Sequence, residues 1–148
     1  MVHWPKMARP VLENVEVFAS VDASGFDRLE KAATEVHFAP GTAILREGET
    51  GSDFFVIIDG HAAVEARDFA DERVSVANVG PGRLFGEGSA LTGEPRSATV
   101  VATEPLMALR FEMERVAEIL AEYPEALEAL RRLAVVNAES LVETVNSD

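Results

Sequence analysis

One stretch of the chain concentrates the residue types that do ligand chemistry: Phe85-Gly86-Glu87-Gly88-Ser89-Ala90-Leu91-Thr92-Gly93-Glu94-Pro95-Arg96-Ser97-Ala98-Thr99. Gly86 and Gly88 let the backbone approach a ligand with no Cβ in the way. A short helix starting there presents free N–H groups, which suit an anion. Arg96 is a bidentate donor to two phosphate oxygens, and Pro95 fixes the chain direction before it. A carboxylate beside a phosphate repels it, so Glu87 needs another task. Accepting hydrogen bonds from a sugar hydroxyl is such a task. Phosphate and ribose hydroxyl in one loop imply a nucleotide.

Other chemistries lack their residues. With no cysteine there is no thiolate nucleophile, thiolate metal site or disulfide. His3, His37 and His61 are scattered, with no carboxylate at ligand spacing, so no metal site is expected. There is no hydrolase elbow, P-loop or zinc-protease motif, and the glycines do not make a dinucleotide fingerprint. An enzyme is not expected.

The stretch resembles the phosphate-binding cassette of the cyclic-nucleotide-binding domain family, found in catabolite-activator-type regulators, cyclic-nucleotide-dependent kinases and cyclic-nucleotide-gated channels. The resemblance rests on Phe85-Gly86-Glu87, Ser89, Leu91 and Pro95-Arg96-Ser97-Ala98-Thr99, with the family's separation of Glu from Arg. Gly48, Phe54-Phe55-Val56-Ile57-Ile58 with Gly60, and Gly80-Pro81-Gly82 fit its flanking turns and strands. Two positions depart: Gly88 stands where a large apolar residue is common, and Ala90 where Leu is common. Both shrink the short helix.

The resemblance implies roles. Glu87 would bind the ribose 2′-hydroxyl and Arg96 the cyclic phosphate. Backbone N–H groups of Gly88, Ser89 and Ser97 would face the sugar-phosphate, and the Ser97 hydroxyl can accept guanine. Val74, Val76, Leu84, Phe85 and Ala98 would line the base side. The implied ligand is cAMP, with cGMP second, and no other cofactor. The alternative is an interaction or dimerisation module that kept the fold and lost the ligand. Loss of Arg96 is expected to remove binding with little effect on folding.

Several elements must position these residues. After a tail over residues 1–10, a domain over 11–145 is expected, with helices over 11–35, a β-roll over 36–111 and two helices over 112–145. Asp22 or Ser24 can cap the second helix. Strands are predicted at Val36–Ala39, Thr42–Arg46, Phe54–Asp59, Ala62–Asp68, Arg73–Val79, Ser97–Ala102 and Leu106–Phe111, between glycine and proline turns. The fold class is α+β: an eight-stranded antiparallel β-roll of jelly-roll type, N-terminal helices, an inserted cassette helix and two C-terminal helices. Met113, Val116, Ala117 and Leu120 share a face, and Pro124 opens the last helix. There Leu127, Leu130, Ala134, Asn137 and Leu141 form a seam that suits a homodimer, a ligand lid or packing on the chain's own roll. Arg131 and Arg132 project from it as candidate lid contacts, able to stack on a purine.

Length and charge complete the expectation. The 148 residues fit one domain. A net charge of −13 makes a poor partner for nucleic acid or an anionic membrane. The longest apolar run, Phe54–Ile58, is far short of the roughly 20 residues of a membrane span. The first ten residues have no signal-peptide apolar region, so a cytoplasmic location is expected. DNA-reading members of the family append a helix-turn-helix; this sequence ends at Asp148, and no DNA-binding domain is expected in it.

Overall fold

A computed structural model describes residues 8–134. Two four-stranded antiparallel sheets face each other. One has the order β1 (Thr34–Phe38), β8 (Leu106–Glu112), β3 (Asp53–Asp59), β6 (Leu84–Phe85). The other has the order β2 (Ala43–Leu45), β7 (Thr99–Ala102), β4 (Ala62–Arg67), β5 (Arg73–Val79). Helices α1 (Ala8–Glu13), α2 (Ala23–Ala32) and α4 (Met113–Leu120) pack on the first sheet, and α3 (Glu87–Thr92) is inserted between β6 and β7. A last helix begins at residue 124 and continues to the end of the described residues. This is the expected α+β roll.

The run Phe54–Ile58 is apolar throughout because β3 is buried on both faces. Successive side chains of a strand point to opposite faces. Phe54, Val56 and Ile58 therefore join the helix-side core with Leu109, Phe111, Leu29 and Val116. Phe55 and Ile57 join the core between the sheets with Phe85, Val100 and Ala108. Phe54 stacks on Phe111 at 5.3 Å and Phe55 on Phe85 at 5.0 Å between ring centroids.

Boundaries shift where pairing decides them. The first helix starts at Ala8, ahead of the expected residue 11. β1 starts at Thr34, because its register on β8 runs from Thr34 opposite Arg110 to Phe38 opposite Leu106. β7 starts at Thr99, which leaves Ser97 and Ala98 in the loop before it. The eighth strand, absent from the predicted segments, is the two-residue β6. Asp22, not Ser24, caps α2, its Oδ1 accepting from Gly25 N at 3.0 Å. Ala126 and Leu130 of the last helix are buried in the helix-side core, so that helix packs on its own domain. His3, Asn137 and Leu141 lie outside the described residues.

Gly60, in the turn between β3 and β4, has φ +95°, and a Cβ there would meet the Pro105 carbonyl oxygen and lie 2.8 Å from Leu106 Cα. Both obstacles are backbone, so nothing flexible can yield. Gly60→Ala is expected to cost about 2–4 kcal/mol of stability, through a positive φ and a backbone clash together. Urea unfolding followed by circular dichroism checks it; a change below 1 kcal/mol, roughly the level of ordinary surface substitutions, would contradict the packing.

Candidate functional site

The cassette is held between two glycines of positive φ. Gly86 is the N-cap of α3 at φ +84°, and Gly93 ends the helix at φ +80°. A Cβ on Gly86 would lie 3.0 Å from Leu45 Cδ1 and 3.1 Å from Arg96 Nη1. Glycine thus serves both the left-handed conformation and the close approach of the arginine. The Phe55–Phe85 stack fixes the chain just before this turn.

Arg96 is 6% exposed. Its Nη1 donates to the Gly86 carbonyl at 2.9 Å and to Ser89 Oγ at 2.8 Å. Its Nη2 donates to the Asp53 carbonyl at 2.9 Å. The main chain of Arg96 is fixed as well: its N–H donates to the Glu49 carbonyl at 2.7 Å, and its carbonyl accepts from Gly48 N at 2.9 Å. Gly51 leaves room for the guanidinium, since a Cβ there would lie 2.7 Å from Nη2. Burial pushes the Arg96 pKa down from its ordinary value, while the Asp53 and Glu49 carboxylates push it back up. The guanidinium stays charged regardless.

Arg96 opens onto a cavity of about 870 Å³, a size suited to a small-molecule ligand. Gly86, Glu87, Gly88, Ser89, Ser97, Ala98, Phe85, Leu84 and Val76 line it, as does Arg131 of the last helix. Glu87 is 3% exposed and sits in the first turn of α3, where the helix dipole favours a carboxylate. Two expected members are not among the lining residues. Val74 is half-buried nearer the β4–β5 hairpin, opposite Ala66, and Arg132 is exposed on the last helix. Sequence reasoning missed Arg83, Leu45, Val64 and Val100, which also line the cavity. Three arginines, Arg83, Arg96 and Arg131, face two carboxylates, Glu87 and Glu94, so the lining is net cationic on a chain of charge −13.

His37 and His61 pair with Glu35 and Glu104 on the surface, and no cluster of metal-ligating side chains occurs among the described residues. No helix among them is long and apolar enough to cross a membrane.

A two-sheet roll with an inserted cassette helix, and a cavity walled by a buried arginine and a buried glutamate, frames a small-ligand site. The family profile described as cyclic nucleotide-binding domain matches residues 35–123, and the chain belongs to that family. Three solved structures show the likeness. The regulatory subunit of a cAMP-independent protein kinase A from Trypanosoma brucei, a triple mutant bound to cAMP, is 25% identical with a TM-score of 0.77, covering 84% of this chain and 45% of that one. The corresponding subunit from Trypanosoma cruzi, bound to guanosine, is 26% identical with a TM-score of 0.77, covering 86% and 44%. The N-terminal domain of a transcriptional regulator from Streptomyces coelicolor is 29% identical with a TM-score of 0.71, covering 86% and 89%. The chain thus spans just under half the length of the kinase subunits.

The three acceptors around Arg96 tie it into the fold, so its loss is expected to cost stability. Arg96→Ala takes the side-chain donor from the Asp53 carbonyl, the Ser89 hydroxyl and the Gly86 carbonyl, the last of which keeps its bond from Ala90 N, and about 2–3 kcal/mol of stability is expected to go with it. Ser89→Ala removes one acceptor only and should cost about 1 kcal/mol. Thermal and urea unfolding of both variants and the parent decide the order; variants as stable as the parent would show that the internal bonds contribute nothing.

Proposed function

We propose that this domain reversibly binds a cyclic purine nucleotide, cAMP in preference to cGMP, and that the ligand repositions the last helix. The observation that carries this is the pairing of a buried cation, Arg96, with a buried carboxylate, Glu87, on the wall of one cavity. Arg96 takes the cyclic phosphate and Glu87 accepts from the ribose 2′-hydroxyl. Ser97 is exposed on the cavity wall beside Arg96, within reach of the sugar-phosphate or a purine edge. Val76, Leu84, Phe85 and Ala98 offer an apolar surface to the base. Arg131 reaches the same space from the last helix and can stack on the purine. The domain senses and does not catalyse: the trypanosome proteins it resembles are regulatory subunits. Their ligands, cAMP and guanosine, support a purine. A ligand moves the helix only as far as it binds two arrangements unequally, typically about 1–3 kcal/mol of coupling. The cytoplasm is the compartment proposed.

Calorimetric titration with cAMP and cGMP tests the reading directly; heat with neither would overturn it. Glu87→Gln should weaken cAMP by about 1.5–3 kcal/mol, the range for a hydrogen bond to a charged group. The same change should barely affect 2′-deoxy-cAMP, which has no hydroxyl to lose. Equal losses for both ligands would make Glu87 a structural residue.

Base choice has its own test. Guanine in the syn orientation presents an amino group toward the phosphate side, and the Ser97 hydroxyl can accept from it. Ser97→Ala should weaken cGMP by about 0.5–1.5 kcal/mol and cAMP much less. Parallel changes in the two dissociation constants would remove Ser97 from base discrimination.

A further inference from the structure

Tyr123 stands at the corner where α4 hands over to the last helix. Its carbonyl accepts from Ala126 N at 2.9 Å and Leu127 N at 3.1 Å, so its backbone belongs to the first turn of that helix. Its hydroxyl donates to Asp22 Oδ1 at 2.6 Å, the same oxygen that caps α2. The ring lies on the α2 backbone: a Cβ on Gly25 would be 2.7 Å from the Tyr123 hydroxyl oxygen and 2.8 Å from its Cε2. One turn along α2, Arg28 pairs with Glu122, the neighbour of Tyr123. The hydrogen bond is the largest influence on both groups, lowering the Asp22 pKa and raising that of Tyr123.

The same helix meets the cavity at its other end. Arg131 and Ala134 line it, and the Ala134 carbonyl lies 3.7 Å from where a Gly88 Cβ would stand. From Tyr123 to Ala134 is about 16 Å at 1.5 Å per residue, so a tilt of roughly 10° at the corner moves the far end by about 3 Å. That displacement would lift Arg131 and Ala134 off the cavity wall. The hydroxyl of Tyr123 is therefore a small contact with long leverage.

We propose that Tyr123 and Asp22 form a latch that sets the angle of the last helix, and through it the contribution of Arg131 to the ligand cavity. Both are positioning residues, acting far from the ligand. The effect on affinity rests on the cyclic-nucleotide reading; the effect on helix angle does not.

The absence of native cysteine allows clean spin labelling. Labels on Ser75→Cys of β5 and Glu128→Cys of the last helix report the distance between roll and helix without ligand. A narrow distribution is expected in the labelled parent, and one broadened or displaced by several ångströms when Tyr123→Phe is added. An unchanged distribution overturns the latch, whatever the nucleotide does. Tyr123→Phe should also weaken cAMP about 2–10-fold, the loss of one net hydrogen bond, with helix content retained. Asp22→Asn keeps a competent cap on α2 and should act in the same direction. Arg131→Ala should cost less in the Tyr123→Phe background than in the parent, since a displaced helix no longer presents Arg131. Independent, multiplicative losses would show that Tyr123 does not act through Arg131. If the parent binds neither nucleotide, the ligand assignment fails while the distance measurement still decides the latch.

Discussion

The buried guanidinium of Arg96 is the constraint around which the site is built. Removing a cation from water is costly, and the structure answers with acceptors on three segments: the turn at Gly86, the first turn of α3 at Ser89, and the start of β3 at Asp53. An arginine has five N–H donors. Three bonds are made within the described fold, and the remaining donors are what a phosphate has to work with. The side chain is thus a structural tie that still has donors to offer the cavity. Gly51, Gly86 and the Gly48–Glu49 turn all serve this one side chain, either by leaving it space or by fixing its backbone.

Behind that tie stands β3. It is apolar on both faces because it separates two cores, and its edge partner β6 is only two residues long. So short a strand cannot hold its place by backbone pairing alone. The stack of Phe85 on Phe55 supplies what the ladder lacks and delivers the chain into Gly86 at a defined position. The depth of the core between the sheets therefore sets where the cassette begins. On the far side, the helix-side core places α4, and with it the corner at Tyr123 from which the last helix crosses to the cavity.

What was legible in the sequence was what is local. Glu87, Ser89 and Arg96 lie within ten residues, and their chemistry follows from type and spacing. The Arg96 acceptors at Gly86 and Asp53 were illegible, because a main-chain carbonyl carries no residue signature. Val74 and Val76 share a face of β5, so alternation could not separate them; only the strand's placement shows that Val76 reaches the cavity. Arg131 and Arg132 are neighbours about 100° apart on a helix, so both could not face one wall. Arg83 was overlooked although it directly precedes Leu84 and Phe85. Its signal was position alone, since nothing in its type distinguished it from a solvated surface cation.

The charge distribution completes the physical account. The chain carries −13, so its long-range field opposes an approaching anion, yet the cavity lining is net cationic. These act over different distances. Exposed charges are screened beyond about 8 Å at physiological salt, whereas a buried group acts in a medium of low effective dielectric. Attraction to bulk polyanions needs clustered exposed basic residues, and acidic residues outnumber basic ones 26 to 13 in this sequence. A small monoanion that enters the cavity instead meets Arg96 already oriented, with its burial cost borne by the fold. The net charge of the chain and the charge of the cavity lining thus act on an anion with opposite sign, the first at long range and screened, the second at close range.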